Sequence, residues 1–221
     1  MCRADKLDRM KSPKMQLREL LIIIKELWRL DGDMHQFHDD LRARANGPLY
    51  WPVFATTRKK VQDLDNEDDR ELFPLDYHFI DTKVGTTMIL YWAAMTTLWS
   101  GMCQIYRHID RLVEGLTAAG LDLSDLGEDG VAPSTANLPP LDKRTGFISL
   151  AHNVFQSVEF CTRDTFGLPF TTAPLNMLVH ILNDHPEYVR EAEWAKSQLE
   201  QILQRGVIMV KYLPKPNDLW N

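Results

Sequence analysis

Cysteine is scarce in this chain, with three in 221 residues, at positions 2, 103 and 161. An odd number so widely scattered gives neither a disulfide framework nor the close spacing of a structural zinc site. Cys103 and Cys161 fall in helical stretches, where a buried thiol is the plain reading. No N-x-S/T sequon occurs, and the opening MCRADKLDRMKSPK lacks the apolar core of a signal peptide. These absences point to an intracellular, reducing compartment. Clustered positive charge is missing too. The formal net charge is −6 and Arg58-Lys59-Lys60 is the one basic triplet, a poor match to a phosphate backbone. There is no Gly-x-Ser-x-Gly elbow, Walker loop or dinucleotide fingerprint, so nothing marks a nucleophilic hydrolase, a nucleotide enzyme or a dehydrogenase. No strand alternation and no internal repeat stands out.

What is present is helical. From Asp81 to Leu116, Met88, Tyr91, Met95, Leu98, Met102, Ile105, Ile109 and Leu112 recur in steps of three and four. Beside them runs a second seam of Trp92, Trp99, Tyr106 and Val113. Two adjacent seams make an apolar face wider than a coiled-coil stripe, which predicts a central helix over about 81–119 with several partners. No charge falls between Lys83 and Arg107, a length that could cross a bilayer. Thr, Ser and Gly dilute that stretch, however, and its periodicity continues into charged sequence. A core helix is therefore expected, with no membrane partner.

The other segments follow in order. A first helix is predicted over about 16–45, with Leu17, Leu21, Ile24, Trp28, Met34, Phe37 and Leu41 on one face, Gly32 as a weak point and Asn46-Gly47-Pro48 as its stop. Residues 49–80 hold no period. Tyr50, Trp51, Phe54, Phe73, Tyr77 and Phe79 would pin this long connection to the helices, with a short helix near 58–64. Gly120 is expected to end the central helix, and 121–143 reads as a flexible acidic loop. A third helix is predicted near 144–163. Gly167-Leu168-Pro169 then breaks the chain, and a fourth helix over 173–183 is capped by Thr172 with Pro174 in its first turn. A fifth runs over about 187–205, with Val207–Val210 packing or extending it. The expected architecture is all-α: an irregular helical bundle, one domain over 16–213 between a flexible 1–15 and a tail at 214–221. The length is ample for a sizeable core, whose expected members include Met88, Tyr91, Trp92, Met95, Leu98, Trp99, Val154, Phe155 and Val158.

Two constellations could carry chemistry. His35-x-x-His38-Asp39 puts two imidazoles on one side of a helix and a carboxylate one turn from His35, a candidate face for a metal-dependent enzyme. It lacks an evident third converging ligand and second shell, and an exposed polar face explains the same residues. His152, Glu159 and Cys161 share a helix, but seven and nine residues put His152 and Cys161 beyond hydrogen-bond reach. No catalytic residue, metal or cofactor is expected.

Phe73-Pro74-Leu75 through Phe79, followed by Tyr91-Trp92-Ala93-Ala94 and Leu98, resembles the helical region C-terminal to the DNA-binding module in fungal six-cysteine zinc-cluster transcription regulators. Ala151-His152-Asn153-Val154-Phe155-Gln156-Ser157-Val158-Glu159-Phe160-Cys161 is similar to the Cys-Gln-Ser-Val-Glu-Tyr helix of that class, with Phe155 where Cys is common. Gly167–Pro169 and Trp194 to Gly206 follow in the expected order, so the likeness covers most of 17–213. It implies an all-α regulatory domain in the nucleus or cytoplasm, acting through protein contacts or a small ligand, with an intact regulator or another copy of the chain as partner. The six-cysteine module itself is missing, so sequence-specific DNA binding is not implied. That leaves a truncated product or a stand-alone copy of the regulatory region.

Overall fold

A computed structural model of the chain describes residues 12–55, 72–126, 134–163 and 165–205. The expected short helix at 58–64, the segment 207–210 and the tail at 214–221 lie outside the described residues, as do 1–11 and the middle of the acidic loop. The described part is all-α apart from one small ribbon. Its elements are α1 (Pro13–Arg44), β1 (Tyr50–Phe54), β2 (Leu75–Phe79), α2 (Thr82–Ala118), α3 (Ile148–Cys161), α4 (Gly167–Asn183) and α5 (Val189–Gln204), with short 3₁₀ turns at Ser124–Leu126, Thr135–Asn137, Asp142–Gly146 and Pro186–Tyr188. By compactness they form two units. One holds the described parts of Met1–His35 and Leu98–Gly146, the other those of Gln36–Thr97 and Phe147–Leu213; α1 and α2 each contribute to both.

The helix ends follow local chemistry. Ser12 precedes Pro13, whose missing N–H costs little in a first turn, and the Met15 N–H bonds back to the Ser12 carbonyl at 2.8 Å. Asp81 caps α2, its Oδ1 accepting from the Val84 N–H at 2.8 Å. Gly120 closes α2 at φ +73°. The Gly120 N–H donates to the Thr117 carbonyl and the Leu121 N–H to the Leu116 carbonyl, the paired bonds of a Schellman stop. Gly32 does not break α1, which stays helical through it.

In the first unit, α1 and α2 meet through Trp28, Asp31, Trp99 and Tyr106, and the segment 134–144 is tied onto α2. In the second, α3 packs on β2 and on α4, and α4 pairs with α5 as a helical hairpin. All nine expected core residues are buried. Trp92 is boxed by Tyr50, Tyr77 and Phe79, with ring centroids 5.1, 5.9 and 6.3 Å away. Phe73 packs on Phe155 and Trp194, at 5.3 and 5.0 Å.

Four expectations need correction. Residues 50–54 and 75–79 are not irregular chain but an antiparallel ribbon, Tyr50 opposite Phe79 and Phe54 opposite Leu75. Trp51 and Phe54 are not pinned inward, since both are exposed; pleating turns Trp51 away from the face of Tyr50, and Phe54 is the last residue of β1. Gly167-Leu168-Pro169 is the start of α4 rather than a break, because proline is tolerated in a first turn. Thr172 is accordingly inside that helix and not its cap. Finally, 134–143 is held rather than loose. Thr135 Oγ1 donates to Asp110 Oδ1 at 2.6 Å, and the Pro139 carbonyl accepts the Tyr106 hydroxyl at 2.5 Å.

Candidate functional site

Within the second unit, the inner side of α4 is filled by Leu168, Thr171, Thr172, Leu175, Leu178, Val179 and Leu182, all buried. The two threonine hydroxyls need no partner outside the helix, donating back to the Gly167 and Leu168 carbonyls at 2.9 Å. The outer side is also apolar. Phe166, Phe170 and Met177 are 49, 41 and 39% exposed, and Ala173 between them is exposed as well. Steps of four, three and four put these side chains in one line along a helix. Phe166 and Phe170 touch, centroids 5.1 Å apart. No Asp, Glu, Lys or Arg occurs anywhere in Gly167–Asn183. A helix apolar on both sides is ordinarily covered on both sides, and this exposed line makes the outer side of α4 a candidate contact surface. Sequence reasoning passed over these residues. Their signal was a seventeen-residue helix with no charge to set against a core face.

Glycine fixes where α4 begins. A Cβ on Gly167 would stand 1.7 Å from the Cys161 carbonyl oxygen, so the turn from α3 into α4 closes only around a residue without a side chain. That turn carries Phe166 to the N-terminal end of the apolar line.

The first unit holds a polar node instead. Asp31 is 2% exposed. Its Oδ1 accepts from Trp99 Nε1 at 2.7 Å, and its Oδ2 from Arg144 Nη2 at 2.5 Å and Nε at 3.2 Å. The Arg144 guanidinium lies 4.2 Å over the Trp28 ring, a cation–π contact. Trp28 Nε1 donates to the Tyr106 hydroxyl at 3.0 Å. Burial pushes the Asp31 carboxyl up, but the Arg144 and Trp99 hydrogen bonds and the charges of Arg144 and His35 outweigh it, so it titrates below the usual range. Burial likewise raises the Tyr106 hydroxyl and the Cys103 thiol. The Asp31 carboxylate is engaged by Trp99 and Arg144 and the Trp28 indole by Tyr106, so the node ties together α1, α2 and residue 144. The same unit has an open groove of about 380 Å³ between the start of α1 and the end of α2, lined among others by Leu112, Leu116, Lys14 and Arg111.

The sequence-predicted chemical residues are placed as follows. His35 Nδ1 lies 2.7 Å from the Asp31 carbonyl oxygen. His38 stacks on Tyr91, centroids 5.0 Å apart, and its Nδ1 is 3.8 Å from Asp39 Oδ1. Among the described residues, no group of three or more His, Cys, Asp or Glu could hold a metal ion. His152 Nε2 lies 3.4 Å from Glu191 of α5, with its ring against Phe73. Cys161 is fully buried, with its Sγ 2.8 Å from where a Cβ on Gly85 would stand. Arg58-Lys59-Lys60 lies outside the described residues. Among those described, no helix is long and apolar enough to cross a membrane. Set against family models, curated proteins and solved structures, the chain has no match.

Proposed function

We propose that the chain is a regulatory helical domain like that of fungal zinc-cluster transcription regulators, working in the nucleus or cytoplasm through protein contacts and without reading DNA itself. The observation that carries this is the outer face of α4, where Phe166, Phe170 and Met177 stand exposed in line on a helix without charge. Such a face suits a partner that lays an apolar surface of its own along it. Aromatic and methionine side chains are the types enriched where proteins meet. The Phe73–Phe79 approach and the Ala151–Cys161 helix, on which the family likeness rests, supply the scaffold. Phe73 and Phe155 are in ring contact there.

The test is to tether the chain to an unrelated DNA-binding module in a fungal host and follow a reporter under that module's site. The reading predicts that transcription rises or falls against the module alone. A reporter that stays at the module-alone level contradicts it.

A further inference from the structure

A serine or threonine is followed by proline once in the whole chain, at Ser12-Pro13. Ser12 is exposed and stands just outside α1, with Pro13 as the first helical residue. We propose that Ser12 is a phosphorylation site for a proline-directed kinase, and that the phosphate it carries clamps the start of α1 to the end of α2. In the transfer, the γ-phosphoryl group of a nucleoside triphosphate passes to Ser12 Oγ, the hydroxyl proton is released and the nucleoside diphosphate leaves.

Charge around the hydroxyl supports the clamp. Ser12 lines the open groove between the start of α1 and the end of α2, together with Lys14 and Arg111, and no Asp or Glu lines it. Two cations therefore share one groove with no acid in its wall. Lys14 Nζ donates to the Asp122 carbonyl at 3.0 Å, so one ammonium already reaches from α1 to the chain just past α2. The Asp122 carboxylate is turned to the Ser124 N–H, at 2.9 Å. Arg111 is exposed and belongs to α2 itself. Phosphoserine brings about −2 charges at pH 7 and three acceptor oxygens. Set in this groove, it gains charge-assisted hydrogen bonds from a cation on each helix. The helix end adds to this without making the site by itself. Ser12 Oγ lies 3.4 Å from the Met15 N–H, where a capping acceptor sits, so its phosphate meets the positive end of a 32-residue helix. Both helix ends fall in the first unit, and the clamp closes within it.

The site is tested on the full chain, incubated with ATP, Mg²⁺ and proline-directed kinases of the cyclin-dependent and mitogen-activated types, then mapped by mass spectrometry. A phosphoryl group on Ser12 is expected, absent from Ser12→Ala and lost in Pro13→Ala. Ser12 left unmodified by both kinases overturns the site. The clamp is read separately, on chain with phosphoserine incorporated at position 12 during synthesis, which needs no kinase. Its melting temperature should stand several degrees above that of the unphosphorylated chain, fall back after phosphatase treatment, and approach it in high salt as the contacts are screened. Lys14→Ala with Arg111→Ala, compared with its own unphosphorylated form, should lose most of that rise. A melt that the phosphate leaves unchanged or lowers overturns the clamp. A full rise in the double variant also overturns it, because the helix end alone would then account for the effect.

Discussion

At Asp31 a carboxylate is taken out of water and answered by one indole and one guanidinium. Removing a single member leaves the other charge or donor without its match, which costs more than the intact pair contributes. Arg144→Ala should lower the free energy of unfolding in urea by about 3 kcal/mol. A loss within the error of the parent would show the pair to be ornamental. The sign with pH follows from the lowered carboxyl. Its contribution is fully present above the unfolded carboxylate value, near 3.8, and is lost as pH falls through the folded value. Parent protein should therefore lose stability more steeply than Asp31→Asn as pH falls below about 3.8, measured by thermal melting at matched ionic strength; parallel curves there would contradict this. Asp31 was half legible. It stands seven residues after Ile24, on the phase of the buried face, and a charge there signals a buried partner. Arg144 is 113 residues away in sequence, and no local pattern joins the two. Buried Thr96, Ser157, Thr162, Thr171 and Thr172 were easy to pass over for another reason. Each donates to the carbonyl four residues back, so their burial leaves no trace in the apolar periodicity.

Among the elements, the helices were legible because a 3.6-residue period is a local property, and the ribbon was not because pairing is non-local. Pro52 in β1 counts against a strand, a buried Asp76 spoils the alternation of β2, and twenty intervening residues remove any hairpin turn signal. Proline misled at α4 as well, where Pro169 in the first turn looked like punctuation. Two glycines separate what a helix tolerates from what its packing forbids. Gly32 is mid-helix and exposed, with nothing within 4 Å of an added Cβ. Gly32→Ala should stabilise the chain by up to about 1 kcal/mol through helix propensity alone. Gly167→Ala should do the opposite, by about 3 kcal/mol or more, because its Cβ meets backbone that cannot swing aside. Urea melts of the two variants check both signs. A neutral Gly167→Ala would mean that the turn between α3 and α4 is not closed as described.

For the whole molecule, charge and ligand inventory decide what it can do alone. With a net charge of −6 and three scattered cysteines, the purified chain should give no competitor-resistant, sequence-selective gel shift on duplex DNA, because phosphate affinity needs clustered cations and base reading needs a docked element. A selective shift from these residues alone would overturn that expectation. The family likeness speaks to scaffold, and the candidate site was the least legible part of the chain. Phe166, Phe170 and Met177 share their period with the core of α4, and only folding decides which side of an uncharged helix is left outside. The direct measurement is therefore on that side. Phe166→Asp with Phe170→Asp, in the tethered chain, changes two exposed residues and leaves the buried ones in place. The account predicts that helicity and melting stay near the parent while the reporter returns to the level of the DNA-binding module alone. A reporter response that persists in the folded double variant would contradict it.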